Sequence, residues 1–447
     1  MASFENVPAP RRQSAITESS LATFKTILSQ TEEQDFAAGD LEPIVLKSLE
    51  DHADRLAELS QSIWENPELS FQETHAVKLL TDYLEKEGYK VTRPYGGLET
   101  SFLGEFQTKG YDRNLGHPTV AVMCEYDALP EIGHACGHNL IAEAGLGTFI
   151  AVCQALKANE GIEGKVLCMG SPAEEGGAGK VVLIKAGAFK DVDFAMMVHP
   201  APIDILELAI LGVDQCQVDF YGKESHASVH PWDGINALDA AMAAYNNVSM
   251  LRQQLPVAHQ IQMIIVHGGD SSNVIPKHTT STYAVRAPSL AGMELLRRKL
   301  IACLEAAALA TECRLEYKFD EHPYGPLLLN KTMLSVYHHY GRKHGMFFPV
   351  IRPSYGSTDM GDVSTVVPSI HPAFAAGGLT MIHTEEFAVL AGKPGAHKLA
   401  RRAAMAMAMT TLELMVSAKF RRTVREEFDS SLPTFTGASG AESGGTF

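Results

Sequence analysis

Cys136 and His138 stand two residues apart in Glu125–Asn139, the stretch that leaves the apolar run Thr119–Cys124. A second apolar run, Val166–Gly170, ends in Pro172-Ala-Glu-Glu-Gly176, and a third, Phe194–Val198, ends in His199-Pro200. A further imidazole, His383, follows the Gly377-Gly378 turn. Thiolate, imidazole and carboxylate together suit zinc or manganese, and mixed sets with an open position belong to metals that do chemistry. A lone Cys-x-His says little; followed by Glu174, Glu175 and His199 at two later strand ends, it says much more. Five ligands are too many for one tetrahedral ion but suit two ions that share a bridge. Cys136 is the candidate bridge, because one thiolate can hold two cations. Adjacent glutamates point in different directions, so one can bind metal while its neighbour holds the water between the ions and takes its proton.

The three apolar runs have the length and flanks of buried strands, and Leu140–Lys157 between the first two has the composition of a helix. Such alternation favours an α/β fold, with a mostly parallel sheet and helices on both faces. In an open parallel sheet, ligands collect at the carboxyl ends of the strands. The three strand ends are therefore expected to form one site. Upstream, a helix should begin at Leu41, with Leu56, Leu59 and Ile63 at helical spacing, and break at Asn66-Pro67. A second helix fits 72–87, and strands should follow near 90 and 101–106. Beyond 211 the order becomes β-α-β-β-α-β, the ferredoxin-like pattern: strands at 213–221, 260–267, 279–286 and 314–319, helices at 236–254 and 293–310. Residues 212–320 are accordingly an inserted domain, and 41–211 with 321–428 form the larger one. The return is expected to hold a helix at 329–341, an irregular stretch at 355–364, a strand at 369–376 and two closing helices, the last ending near Arg425. Little order is expected at 1–40, and a flexible tail at 429–447, which is rich in Ser, Gly and Thr.

The chain has 447 residues, with 37 Lys plus Arg against 53 Asp plus Glu, a net charge of -16 that argues against nucleic acid or an anionic membrane surface as partner. Seven cysteines without a Cys-x-x-Cys pair suggest a reduced, cytoplasmic setting. No signal-peptide core and no uninterrupted bilayer-length apolar stretch is visible, so no membrane partner is expected. Gly176-Gly-Ala-Gly-Lys180 imitates a phosphate loop, but position 174 is Glu where Gly is needed, and Val181 follows the lysine. Neither a Gly-x-Ser-x-Gly elbow nor a strand-borne Gly-x-Gly-x-x-Gly occurs, which disfavours a serine hydrolase and a dinucleotide fold. His117, His259, His338 and His339 have no partner pattern and are expected at the surface. Asp359 and Asp362 are assigned to loop shaping or contact with a cationic substrate group.

Taken together, Pro67-Glu-Leu-Ser-Phe71, Asp127-Ala-Leu-Pro130, His134-Ala-Cys-Gly-His138, Pro172-Ala-Glu-Glu-Gly176, Val198-His-Pro200, Ser225-His-Ala227 and Asn273-Val-Ile-Pro276 resemble the M20 metallopeptidase family. Within it they resemble the amidohydrolase branch with a cysteine ligand. Gly356-Ser-Thr-Asp-Met-Gly-Asp-Val-Ser364 and His383-Thr384 are closest to its subgroup of aminobenzoyl-glutamate hydrolases and Xaa-Arg dipeptidases. The resemblance spans about residues 43–420. It implies a zinc-peptidase-like catalytic domain with two divalent metal ions, Zn or Mn, and an inserted dimerisation or lid domain. It implies Cys136, His138, Glu175, His199 and His383 as metal ligands, Glu174 as the base and Asp127 as an acid behind the metals. His226 would reach the partner subunit's site in a homodimer and stabilise the oxyanion, while Asn273 and Arg286 would hold substrate, Arg286 by its free carboxylate. Asn139 replaces the Asp common in the branch, which implies a different charge beside the metals.

The expected activity is hydrolysis of the amide bond of a small dipeptide or N-acyl amino acid, in the favoured version releasing Lys, Arg or ornithine. Alternatives are an amidase for aromatic or acyl conjugates of the aminobenzoyl-glutamate type, and a metal-binding relative without catalysis.

Overall fold

The computed structural model describes residues 36–351 and 356–438. The chain is anchored from Phe36 onward, earlier than position 41: Phe36 is buried and the Ala38 amide donates to Glu413 Oε2 at 2.9 Å. Residues 1–35, where most of the expected N-terminal disorder falls, lie outside the described residues.

Helices α1 (Glu42–Asp51), α2 (Ala53–Glu65) and α3 (Thr74–Lys86) come first. Leu56, Leu59 and Ile63 are buried along one face of α2, which stops at Asn66 because the following proline disfavours helical geometry there. Strands β1 (Lys90–Thr92), β2 (Phe102–Gln107) and β3 (Thr119–Cys124) lead to α4 (His138–Lys157), then β4 (Lys165–Gly170), α5 (Gly179–Lys185), β5 (Phe194–Met196) and β6 (His199–Ala201). Helix α4 is long and apolar enough to cross a bilayer, but 94% of that window is buried inside the fold. It approaches the sheet closely at Gly145, where a Cβ would sit 2.6 Å from the Met123 carbonyl oxygen.

The inserted unit comprises β7 (Gly212–Tyr221), α6 (Ala237–Leu251), β8 (Gln260–His267), β9 (His278–Ala287), α7 (Leu290–Thr311) and β10 (Arg314–Phe319). Its four strands are antiparallel in the order β10-β7-β9-β8. Alternate residues of β7, among them Cys216, Val218 and Phe220, meet Ala240, Ala244, Leu296 and Leu300 of the two helices in a core of their own.

The return supplies α8 (Lys331–Lys343), α9 (Met360–Val366), β11 (Ser369–Ile370), β12 (Ala373–Ala375), α10 (Glu385–Ala391), α11 (Pro394–Val416) and α12 (Ala418–Thr436). The large sheet runs β1-β2-β4-β3-β5-β11, parallel from β4 to β11. Helices α1, α2 and α11 pack with α4 on one face, while α5 and α9 pack on each other and carry Leu183, Met360 and Val363 into a separate apolar cluster.

Several elements differ from expectation. The run 369–376 is two strands, because His371-Pro372 interrupts it and proline has no amide to give a ladder. Likewise 194–199 splits, and β6 leaves the large sheet to pair with β12. Residues 360–366 form a helix, its first turn held by Asp362 and Ser364, which accept from the Gly325 and Leu328 amides. The last helix continues to Thr436, so 429–436 is ordered, with Phe428 buried; 439–447 lies outside the described residues. His338 is buried, because it shares the inward face of α8 with Leu334 and Tyr337.

Candidate metal centre

Register brings the strand ends level. Cys124 of β3 pairs with Gly170 of β4, so the loops carrying Cys136 and Glu174 leave the same edge of the sheet. His138 opens α4, and Gly137 before it has φ +78°, with no room for a Cβ, which would lie 2.7 Å from Pro200. The turn that aims His138 therefore requires glycine. Asp127 lies further back in the same loop. Its Oδ1 meets His138 Nδ1 at 3.0 Å and its Oδ2 accepts from the Glu175 amide at 3.0 Å. Ser70 also donates to Asp127, and the Glu68 carbonyl accepts from the Ala128 amide, which accounts for the Pro67–Phe71 motif.

Cys136 Sγ lies 3.3 Å from His199 Nε2, and Glu175 Oε1 lies 3.4 Å from His383 Nε2 and 3.8 Å from His138 Nε2. Donor atoms of Cys136, His138 and His199 fall within 4.8 Å of one another, as do those of Cys136, Glu175 and His383, so the thiol is common to both sets. Glu174 Oε2 is 3.8 Å from His138 Nε2. His199 Nδ1 meets its neighbour's carbonyl at 2.7 Å, leaving Nε2 toward the cluster. His138 Nε2 and Glu175 Oε1 are buried without a hydrogen-bond partner among the described residues. Buried polar atoms rarely stay unpaired, and here they converge with a thiol and two further imidazoles, a donor set that fits divalent cations.

Burial, together with Glu125, pushes the Glu174 carboxyl well above the usual range. Burial acts on Asp127 in the same sense, but the His138 charge and hydrogen bond hold it below its ordinary value. Burial and the neighbouring His138 depress His199 to about 4, favouring the neutral imidazole that a metal needs.

Behind Glu174 lies a buried ionic triad that the sequence did not disclose. Lys180 Nζ donates to both Glu125 and Asp359, and the Lys180 amide donates to Asp359 Oδ2 at 2.9 Å. Burial would strip the lysine of its proton, but Asp359 and Glu125 more than offset it and hold the ammonium charged. Asp359 thus anchors Lys180 and does not face substrate. His371, just past β11, also lines the site, and burial drives its pKa well down. Glu125 and His371 are each the first residue beyond a strand, the same signal that singled out His199. Asn139 does not alter the charge at the cluster. Its side chain turns to Ser60 Oγ and the Ala391 carbonyl, both at 3.1 Å, and ties α4 to α2 and α10.

His226 and Asn273 are not part of the cluster within one chain. Their loops are joined to each other, the Ala227 amide donating to the Asn273 carbonyl at 2.9 Å, and both residues are exposed. Arg286 stands nearer, its Nη1 donating to Ser357 Oγ at 2.7 Å, and Ser357 lines a cavity of about 500 Å³ that reaches Cys136, Glu174, Glu175, His199 and His383.

A mostly parallel, helix-flanked sheet with a separate four-stranded domain defines the class of metal-dependent amide hydrolases. The chain belongs to the M20 metallopeptidase family. Residues 208–312 match its peptidase dimerisation domain. The chain is 40% identical over 392 residues to the Xaa-Arg dipeptidase of Mus musculus, covering 86% of this chain and 91% of the relative. It is 28% identical to a p-aminobenzoyl-glutamate hydrolase of Escherichia coli, covering 85% and 93%. A dinuclear metal-binding peptidase of the M20 family from Bacillus subtilis shares the fold at a TM-score of 0.63 and 22% identity, covering 81% of this chain and 99% of that one.

Proposed function

We propose that this chain is a two-metal dipeptidase that cleaves the amide bond before a C-terminal basic residue. The observation that carries the reading is the meeting of Cys136, His138, Glu175, His199 and His383 beside Glu174 in one cavity. Similarity to the mouse Xaa-Arg dipeptidase supports the substrate class. Two divalent cations, zinc or manganese, held by those five residues would polarise the scissile carbonyl and acidify the water beside it.

Glu174 receives the proton of that water and returns it to the departing amine. Its buried position, which favours the protonated form, suits the second of these roles. Asp127 fixes the orientation of His138 through Nδ1, so that Nε2 faces the cluster. Arg286 leaves Ser357 to clamp the substrate carboxylate by a two-pronged contact, with Asn273 beside it. His226 of a second copy completes the oxyanion site when the domains close. A homodimer through the inserted domain is supported by its outer strand β8, whose edge is unpaired in one chain and whose Ile264 and Val266 are 64% and 61% exposed. The free thiols support a reducing, cytoplasmic setting.

The test is metal content on protein purified without chelator, then hydrolysis of Xaa-Arg, Xaa-Lys, N-acyl and aminobenzoyl-glutamate substrates with Zn or Mn restored. Two bound ions and preferred cleavage of basic dipeptides are expected. A metal-loaded chain inert toward every dipeptide would overturn the reading.

A further inference from the structure

The cavity beside the metal centre carries one acid that the reaction does not use. Away from the ligands its walls are apolar: Ile205, Leu208, Ile210, Leu329, Val350 and Met381. No lysine or arginine lines it among the described residues, and Glu207 is its only carboxylate besides Glu174 and Glu175. Glu207 is partly buried, and among the described residues its carboxylate accepts no hydrogen bond and forms no ion pair. Burial pushes its pKa up, Lys331 opposes this from a distance, and Glu427 adds to it. A partly desolvated carboxylate on an apolar wall gains most from a cation that arrives on an apolar stem.

The segment bearing Glu207 is held at both ends. The Ile205 amide donates to the Ala373 carbonyl at 2.9 Å and the Leu211 amide to the Gly356 carbonyl at 3.0 Å. At its far end Ser357 Oγ donates to the Leu211 carbonyl at 2.9 Å while accepting from Arg286. The acid and the proposed carboxylate clamp are thereby tied through one short hydrogen-bonded path. An amino acid anchored by its α-carboxylate at Arg286 would run its side chain along the apolar wall toward Glu207. Its length and charge are those of Lys, ornithine or Arg.

We propose that Glu207 is the specificity residue, accepting the ammonium or guanidinium head of the released amino acid. This rests on the dipeptidase reading above. The aliphatic part of the side chain lies against Leu208, Ile210 and their neighbours, and a guanidinium can engage both carboxylate oxygens. An acidic product would meet an acid with no compensating cation, which disfavours aminobenzoyl-glutamate.

The test compares kcat/KM for Ala-Arg and Ala-Met in the metal-loaded wild type, Glu207→Gln, Glu207→Asp and Glu207→Lys, with thermal melts to confirm folding. The Ala-Arg to Ala-Met ratio should fall roughly 10²-fold in Glu207→Gln, mostly through KM. Glu207→Asp should keep part of the preference, and Glu207→Lys should shift it toward Ala-Glu. A wild type that prefers Ala-Arg, with Glu207→Gln retaining the same ratio, overturns the assignment of Glu207 alone. A metal-loaded wild type that cleaves neither peptide overturns the dipeptidase reading itself.

Discussion

The strand-end edge of the large sheet and the inserted domain handle polar groups in opposite ways. At the edge, Glu125, Asp127, His138, Lys180 and Asp359 are all buried and held against one another. In the inserted domain the core is apolar, and His226 and Asn273 stand in exposed loops fixed by backbone bonds. Burying charge is costly, and is tolerated where the groups are paired or where chemistry needs a dry field. The first region is thus built to hold groups still, and the second to reach.

If that contrast is right, the largest effect belongs to Glu174. Glu174→Gln should lower kcat by about 10²- to 10⁴-fold while bound metal, measured by elemental analysis, stays at the wild-type level. Lys180→Met leaves Glu125 and Asp359 buried without their cation and should cost about 3–5 kcal/mol in denaturant unfolding. The inserted domain offers the control: Lys277→Met removes an exposed ion pair to Glu224 and should leave the melting temperature unmoved. Equal losses from the two would erase the distinction. His226→Ala should reduce kcat without changing metal content. Mixing it with Glu174→Gln should restore up to roughly a quarter of wild-type activity if the two residues meet across a two-fold interface. No recovery after subunit exchange would confine His226 to its own chain.

The smallest effect concerns Glu73, which accepts from the Phe71 and Ala173 amides beneath the Glu174 loop. Burial raises its pKa from 4.5 to about 7. The folded chain then holds a proton that the unfolded chain releases, so this stabilisation is complete below pH 4.5 and fades as pH climbs through 7. Unfolding titrations should show Glu73→Gln flattening that decline, which is at most about 1.4 kcal/mol per pH unit.

Periodicity and strand-end position revealed the main elements, and they also singled out Cys136, His138, Glu174, Glu175 and His199, because a parallel sheet gathers the residues just beyond its strands. The alternation along Gly212–Tyr221 and its neighbours made the four-stranded domain equally legible. Lys180 was not legible: its surroundings resemble a failed phosphate loop, and its role depends on Asp359, which is 179 residues away. Asn139 misled for a similar reason, since sequence proximity to His138 says nothing of which way a helical side chain turns. Glu207 carries no motif and is distinguished only by the cavity it faces.

The donor set is divided by the insertion: four of its members precede residue 212, and His383 lies beyond β12. During synthesis, the growing polypeptide therefore displays a thiol, two imidazoles and a carboxylate for the whole interval in which the inserted unit emerges. Strands β11 and β12 must then slot against β5 and β6 before the final imidazole arrives. Tight cation capture is thereby deferred until the ribosome has passed residue 383, so a prematurely terminated product would be left with an incomplete trap and no hydrolytic power.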